Sequence, residues 1–215
     1  TWYDWDFEAA EREYRKTIEI EPLNVLGYAL FLSARERHDE AIAMVEQRLA
    51  ATPDDPYVRV NAGWRYFHAG LYHQAVAAAQ SGASHPDSAS LLGWSRLALG
   101  DYDAAISAFE ADIDRHGRGP RRLVNLAAAS FRAGRPEAGQ ALLQELLRMS
   151  EQAYVSPALV ATVYFAADDP DTGFRLLEEA LQQRARDLIF LRVSWILEAY
   201  HDDPRYRDLV TRVGL

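Results

Sequence analysis

With 215 residues, 49% of them apolar, the chain is long enough to bury a sizeable core as one or two domains. A formal net charge of -9 and a pI near 5.1 repel phosphate backbones, which argues against nucleic acid as a partner of this segment. Cysteine is absent, which excludes disulfide frameworks, thiol catalysis and sulfur-ligated zinc, and no run approaches the roughly 18 apolar residues of a membrane helix, so no membrane partner is expected.

The opening Thr1 to Asp6 lacks the basic start of a signal peptide, and there is no initiating Met. The expectation is a soluble, cytoplasmic segment that begins inside a structural unit of a longer protein. A helix is predicted from about Asp6 to Ile20, the second helix of an incomplete first unit. In it the small residue Ala10 is followed by Tyr14 and Ile18 on the same face.

That pattern recurs along the chain. Its small residues are Ala10, Ala41, Ala75, Ala105, Gly139 and Gly173, separated by 31, 34, 30, 34 and 34 positions. Twelve residues before each of the last five stands a second small residue: Ala29, Gly63, Gly93, Ala127 and Ala161. Two antiparallel helices joined by a tight turn approach closely only where the crossing residues are small, and larger neighbours then lock the contact. Val45, Phe109, Leu143 and Leu177 are such neighbours, four residues after their anchors; the third unit deviates, with Ala79 and Ala83.

Turn residues agree. Gly70, Gly100 and Gly134 each lie five residues before an anchor, where a first helix must end in a left-handed cap. Asp55-Pro56, Asp169-Pro170 and Asp203-Pro204 read as N-cap followed by the first helical residue. No alternating β-branched run is bounded by hairpin turns, so strands are not expected.

Gly100, Asp101, Tyr102, Ala105, Ile106 and Phe109, with Gly70, Tyr72 and Ala75, resemble the consensus of the tetratricopeptide repeat family. The resemblance implies an all-α fold, a right-handed superhelical solenoid of antiparallel helix pairs. It spans residues 1–215 as one domain of about six pairs, the first incomplete, with capping helices over 187–215. Individual units depart from the consensus, with Arg96 in place of Tyr and Pro136 where an aromatic is usual. The start, Tyr3 to Phe7 with Ala10-Glu11 and Pro22, and the end, Tyr154 to Pro157 and Asp203 to Tyr206, are similar to repeat arrays attached to bacterial winged-helix regulators, adenylate cyclases and serine/threonine kinases. That narrower resemblance implies a regulatory module with an effector domain N-terminal to Thr1.

In such a solenoid the first helix of each pair lines the concave surface. Positions after the crossing residues, Leu30, Trp64, Trp94, Ala128 and Thr162, then point into the groove. Asn61, Trp64, Phe67, Trp94, Arg121, Asn125, Phe131 and Phe165 are the candidate partner-binding residues, aromatic anchors with amides to hold a peptide backbone. The competing reading is that the two tryptophans fill space between units. Arg121 and Asn125 resemble two elements of the carboxylate clamp of some tetratricopeptide domains, but the remaining clamp residues do not match.

Arg115 to Arg122, with two glycines and Pro120, is the strongest basic anomaly. It reads either as an anion site before a helix or, preferably, as a solvated loop. His68 and His73 are five apart without a third ligand and read as surface histidines; Asp168, Asp169 and Asp171 lack the calcium-loop pattern and read as caps. Ser95 has no nucleophile elbow. No enzyme, metal or cofactor is therefore expected. The leading reading is a non-catalytic scaffold that binds a protein or peptide partner in its groove. The alternatives are a sensor controlling an intramolecular effector domain, and a self-association module using an exposed first helix.

Overall fold

The computed structural model describes residues 5–215; Tyr3 and Asp4 of the opening motif lie outside them. The described residues are helical throughout, without strands. Helix α1 (Phe7–Ile20) stands alone. Five pairs follow: α2 (Leu26–Ala34) with α3 (His38–Ala51), α4 (Pro56–His68) with α5 (Tyr72–Ser81), α6 (Ser88–Ala98) with α7 (Tyr102–His116), α8 (Pro120–Arg132) with α9 (Pro136–Gln152), and α10 (Pro157–Ala166) with α11 (Pro170–Gln182). Two 3-10 stretches, Arg186–Val193 and Trp195–Tyr200, form a strap that leads into α12 (Pro204–Val213).

Each anticipated Asp-Pro start is a real cap. The side chain of Asp55 accepts from the Tyr57 N–H at 2.9 Å, Asp169 from Thr172 at 3.1 Å and Asp203 from Arg205 at 2.8 Å. The turns inside the pairs share one geometry. Gly70, Gly100 and Gly134 take φ of 75°, 77° and 70°, and the equivalent positions of the second and sixth units, Glu36 and Asp168, are forced to 60° and 58°.

The pairs close on their small residues as the spacing requires. Ala29, Ala41, Ala75, Ala105, Ala127 and Ala161 have no exposed surface. A Cβ at Gly93 would enter the Phe109 ring, and one at Gly173 would stand 2.7 Å from Phe165. Glycine at these sites is a packing requirement.

The array also joins its ends. One hydrophobic cluster contains Phe7, Phe31 and Val45 from the first three helices together with Phe165, Leu177, Leu188, Leu197 and Leu209 from the last part of the chain. The strap bridges α2 to α10, α11 and α12. Polar clips seal the seam: Arg35 Nη1 donates to the Gly214 carbonyl at 2.8 Å, and Arg192 reaches Glu36 at 2.6 Å and the Leu215 carbonyl at 3.0 Å. One expectation is corrected: in place of capping helices over 187–215, two 3-10 stretches pack against α2, α10 and α11, and a single α-helix, α12, follows on α11. Phe7 and Ala10 of the first helix are buried within the chain, while Ile20 at its end is 80% exposed.

Candidate functional site

The inner face is made by α4, α6, α8 and α10, whose register is set by the crossing residues Gly63, Gly93, Ala127 and Ala161. The residue after each crossing turns inward, which places Trp64, Trp94 and Thr162 on one surface; Ala128 is fully buried. The strap lies across this surface. Trp195 meets Trp94 edge-on at 6.5 Å between ring centroids, Phe190 lies 6.2 Å from the His68 ring, and Tyr200 lies 5.1 Å from Phe165. At its far end the Tyr72 hydroxyl donates to Glu198 at 3.3 Å; burial and the nearby Glu198 carboxylate push the Tyr72 phenol up to about 12.

Between strap and helices remains a cavity of about 370 Å³. Six of the eight residues anticipated from sequence line it together: Asn61, Trp64, Phe67, Trp94, Arg121 and Asn125. Phe165 lines a smaller neighbouring cavity of about 160 Å³ that shares Arg121. Phe131 lines neither, because its ring covers Gly139 inside its own pair, where a Cβ would sit 2.7 Å from it.

The amides are partly committed. Trp94 Nε1 donates to Asn125 Oδ1 at 3.1 Å, Asn125 Nδ2 to Ser90 Oγ at 3.2 Å, and Ser90 Oγ to Asp112 Oδ2 at 3.2 Å. Asn125 therefore fixes the Trp94 indole. Asn61 Nδ2 donates to the Tyr57 carbonyl at 2.9 Å. The same chain of contacts explains the basic segment after α7. Asp112, 4% exposed, holds His116 at 2.8 Å and Arg122 at 3.3 Å, while Arg118 grips Glu145 through two hydrogen bonds of 2.7 and 2.6 Å. These charges tie α7, α8 and α9 together and are not a separate anion site.

Sequence reasoning missed several residues of the site, four of them aromatic or charged. Phe190 and Trp195 come from the strap. Arg65 and His68 come from α4, and His68, taken for a surface residue, lines the cavity with its Nδ1 buried and without a hydrogen-bond partner among the described residues. Burial, then the Arg65 charge and His38, hold the His68 imidazole well below its ordinary value. One signal was available for Arg65. It stands two residues after Gly63, where the other units place Phe31, Ser95, Ala129 and Val163, all buried. A charge in a register of core residues marks an exception to packing. Among the described residues no cluster of three His, Cys, Asp or Glu side chains is placed to hold a metal ion, and no helix is long and apolar enough to cross a membrane.

No family model matches the sequence, and no curated protein does. Solved structures do. The fold is similar to TTC0263, a thermophilic tetratricopeptide repeat protein of Thermus thermophilus, with a TM-score of 0.62 at 19% identity over 81% of this chain and 97% of that one. It is also similar to a tetratricopeptide repeat protein of Parabacteroides merdae, TM-score 0.61 at 14% identity over 97% and 86% of the two chains. A third likeness is to a chain of the anaphase-promoting complex hetero-tetramer Cut9-Hcn1, TM-score 0.64 at 14% identity, covering 99% of this chain and 47% of that one. At such identities the likeness is one of fold.

Proposed function

We propose, from the premise that this chain has the tetratricopeptide-repeat fold, that it is a non-catalytic interaction scaffold whose concave face receives a protein or peptide partner. The observation that carries this reading is the juxtaposition of Trp64 and Trp94 on an open cavity rather than in the core: both are only partly buried, and both bound space instead of filling it. Partly buried aromatic anchors lining a concavity are what peptide recognition uses. The strap supports the reading a second way. It is a stretch of chain without α-helical form, held in the groove by inserted aromatic and aliphatic side chains, so the groove accepts a segment of that chemistry. A fold neighbour is found in a hetero-tetrameric assembly, Cut9-Hcn1, which agrees with a scaffold role.

The strap belongs to the receptor as its outer wall, since Phe190, Trp195 and Ile196 face the same cavity as Trp64 and Trp94. An occupant from the same polypeptide, such as an effector domain, is the second reading, and it is favoured by the fact that the groove already holds chain in cis.

The test is selection of binding peptides from a displayed random library on the wild-type chain, followed by affinity measurement on Trp64→Ala with Trp94→Ala. Selected peptides are expected to lose at least about tenfold in affinity on the double variant while its unfolding transition persists, as for interface anchors generally. Peptides that bind both proteins equally would remove the concave face from the account.

A further inference from the structure

The cavity between strap and helices carries a charge anomaly. In a chain of net charge -9, its walls contain Arg65, Arg121 and His68 and not one carboxylate. Arg121 is mostly exposed and only loosely paired, 3.8 Å from Asp187. Arg65 is different in kind: it is 3% exposed, and its Nε and Nη1 are buried with no hydrogen-bond partner among the described residues. Apart from a few amide and hydroxyl groups the other walls are aromatic or aliphatic, with three indoles, Trp64, Trp94 and Trp195, set around the space.

A buried guanidinium cannot relieve its cost by losing its proton. Burial lowers its pKa only to about 9, so it stays charged at neutral pH. Burying a charge with two donor nitrogens unsatisfied is unfavourable, and such groups are normally paired. Replacing buried charge by an apolar isostere is often neutral or stabilising. A planar fork of donors beside an uncharged aromatic box fits an anion that brings both its acceptor oxygens and a flat apolar body.

We propose that this cavity is a binding site for a small organic anion, a planar aromatic ring bearing a carboxylate, with Arg65 receiving the carboxylate and the indoles of Trp64, Trp94 and Trp195 packing on the ring. Arg65 borders the cavity, and because its unpaired Nε and Nη1 are buried, its side chain turns toward the carboxylate on binding. Because the strap contributes Trp195 and Phe190 to the walls, such a ligand contacts residues 186–200 as well as the inner helices. This makes the array responsive to a small molecule and does not depend on its binding a peptide.

The experiment uses the whole chain and two matched pairs of probes, indole-3-acetate with indole-3-acetamide and 2-naphthoate with 2-naphthamide. Calorimetry and thermal unfolding are read for wild type and for Arg65→Met. The acids are expected to bind wild type at least about tenfold more tightly than the amides, the ratio set by one charge-assisted contact. In Arg65→Met the preference disappears while the unbound variant unfolds no earlier than wild type. Should that variant fail to fold, indole N–H resonances of wild type decide. Those of Trp64, Trp94 and Trp195 shift with the acids at concentrations at least about tenfold lower than with the amides, and that of Trp5 stays in place. Equal binding of acid and amide, an acid preference retained by Arg65→Met, or no binding of either acid at millimolar concentration would overturn the proposal.

Discussion

Trp195 of the strap meets the Trp94 indole of α6 edge to face, with ring planes at 61°, and through that contact the C-terminal part of the chain reaches the middle of the solenoid. Trp94 is held from the other side by Asn125, so the strap docks on a fixed surface. Trp195 also touches the apolar residues around Ala75 and Leu91, which makes it a wedge between two units.

Trp195→Ala is expected to cost about 2–3 kcal/mol of unfolding free energy, less than a fully buried tryptophan because the ring is only half-buried. Urea denaturation measures the loss. A stability within about 0.5 kcal/mol of wild type, the range of an ordinary surface change, would mean that the strap is not held in the groove.

His68 links stability to pH. Its folded imidazole is held below the ordinary value of 6.5 by burial first, then by Arg65 and His38. The unfolded chain therefore takes up a proton on falling below pH 6.5 that the folded chain refuses, and the stability contributed by neutral His68 is lost as acidity increases. Wild type is expected to lose stability faster than His68→Leu between about pH 7.5 and 5.5, the other histidines cancelling in the comparison. Parallel stability profiles would place His68 in solvent.

The turns and crossings make opposite demands on glycine. Gly93→Ala drives a Cβ into the Phe109 ring and is expected to cost about 1–3 kcal/mol. Asp168→Gly relieves a left-handed non-glycine residue at φ 58° and is expected to gain about 0.5–1 kcal/mol. Paired denaturation curves check both signs; a Gly93→Ala protein as stable as wild type would contradict the helix spacing.

What could be read in advance follows from this contrast. The helix pairs were legible because close crossing needs Gly or Ala at fixed positions and because Asp-Pro starts a helix by local chemistry alone, as Asp55, Asp169 and Asp203 do. The inward turn of Trp64 and Trp94 followed from the same register. The strap was not legible. Leu188, Ile189, Leu191 and Val193 are apolar without helical or alternating period, and their burial is decided by helices more than a hundred residues earlier, α2 among them. His68 was misjudged for the same reason, since Phe190 of the strap lies against its ring, and Arg65 was passed over. The turns at Glu36 and Asp168 were hidden because the same local cap hydrogen bonds form there without the glycine that marks the turns elsewhere.

Helix α1 is fastened to the first pair by a carboxylate. Glu11 accepts from Arg37 at 2.6 Å, Arg15 at 2.8 Å and the Tyr28 hydroxyl at 2.9 Å, and the Arg37 guanidinium foremost holds its carboxyl down to about 2. Its stabilising contribution is present above the unfolded value of 4.5 and is lost as pH falls from there towards 2. Glu11→Gln is expected to be less stable than wild type at about pH 7 and indistinguishable from it near pH 2. A difference that does not shrink on acidification would mean that Glu11 acts by shape and not by charge.

The claim that the concave face is the receptor is tested most directly by hydrogen exchange on the chain with and without a peptide selected for binding it. The account predicts added protection in α4, α6 and α8 and in residues 186–200, with α3, α5 and α7 on the outer side unchanged. Protection confined to α3, α5 and α7 would contradict it.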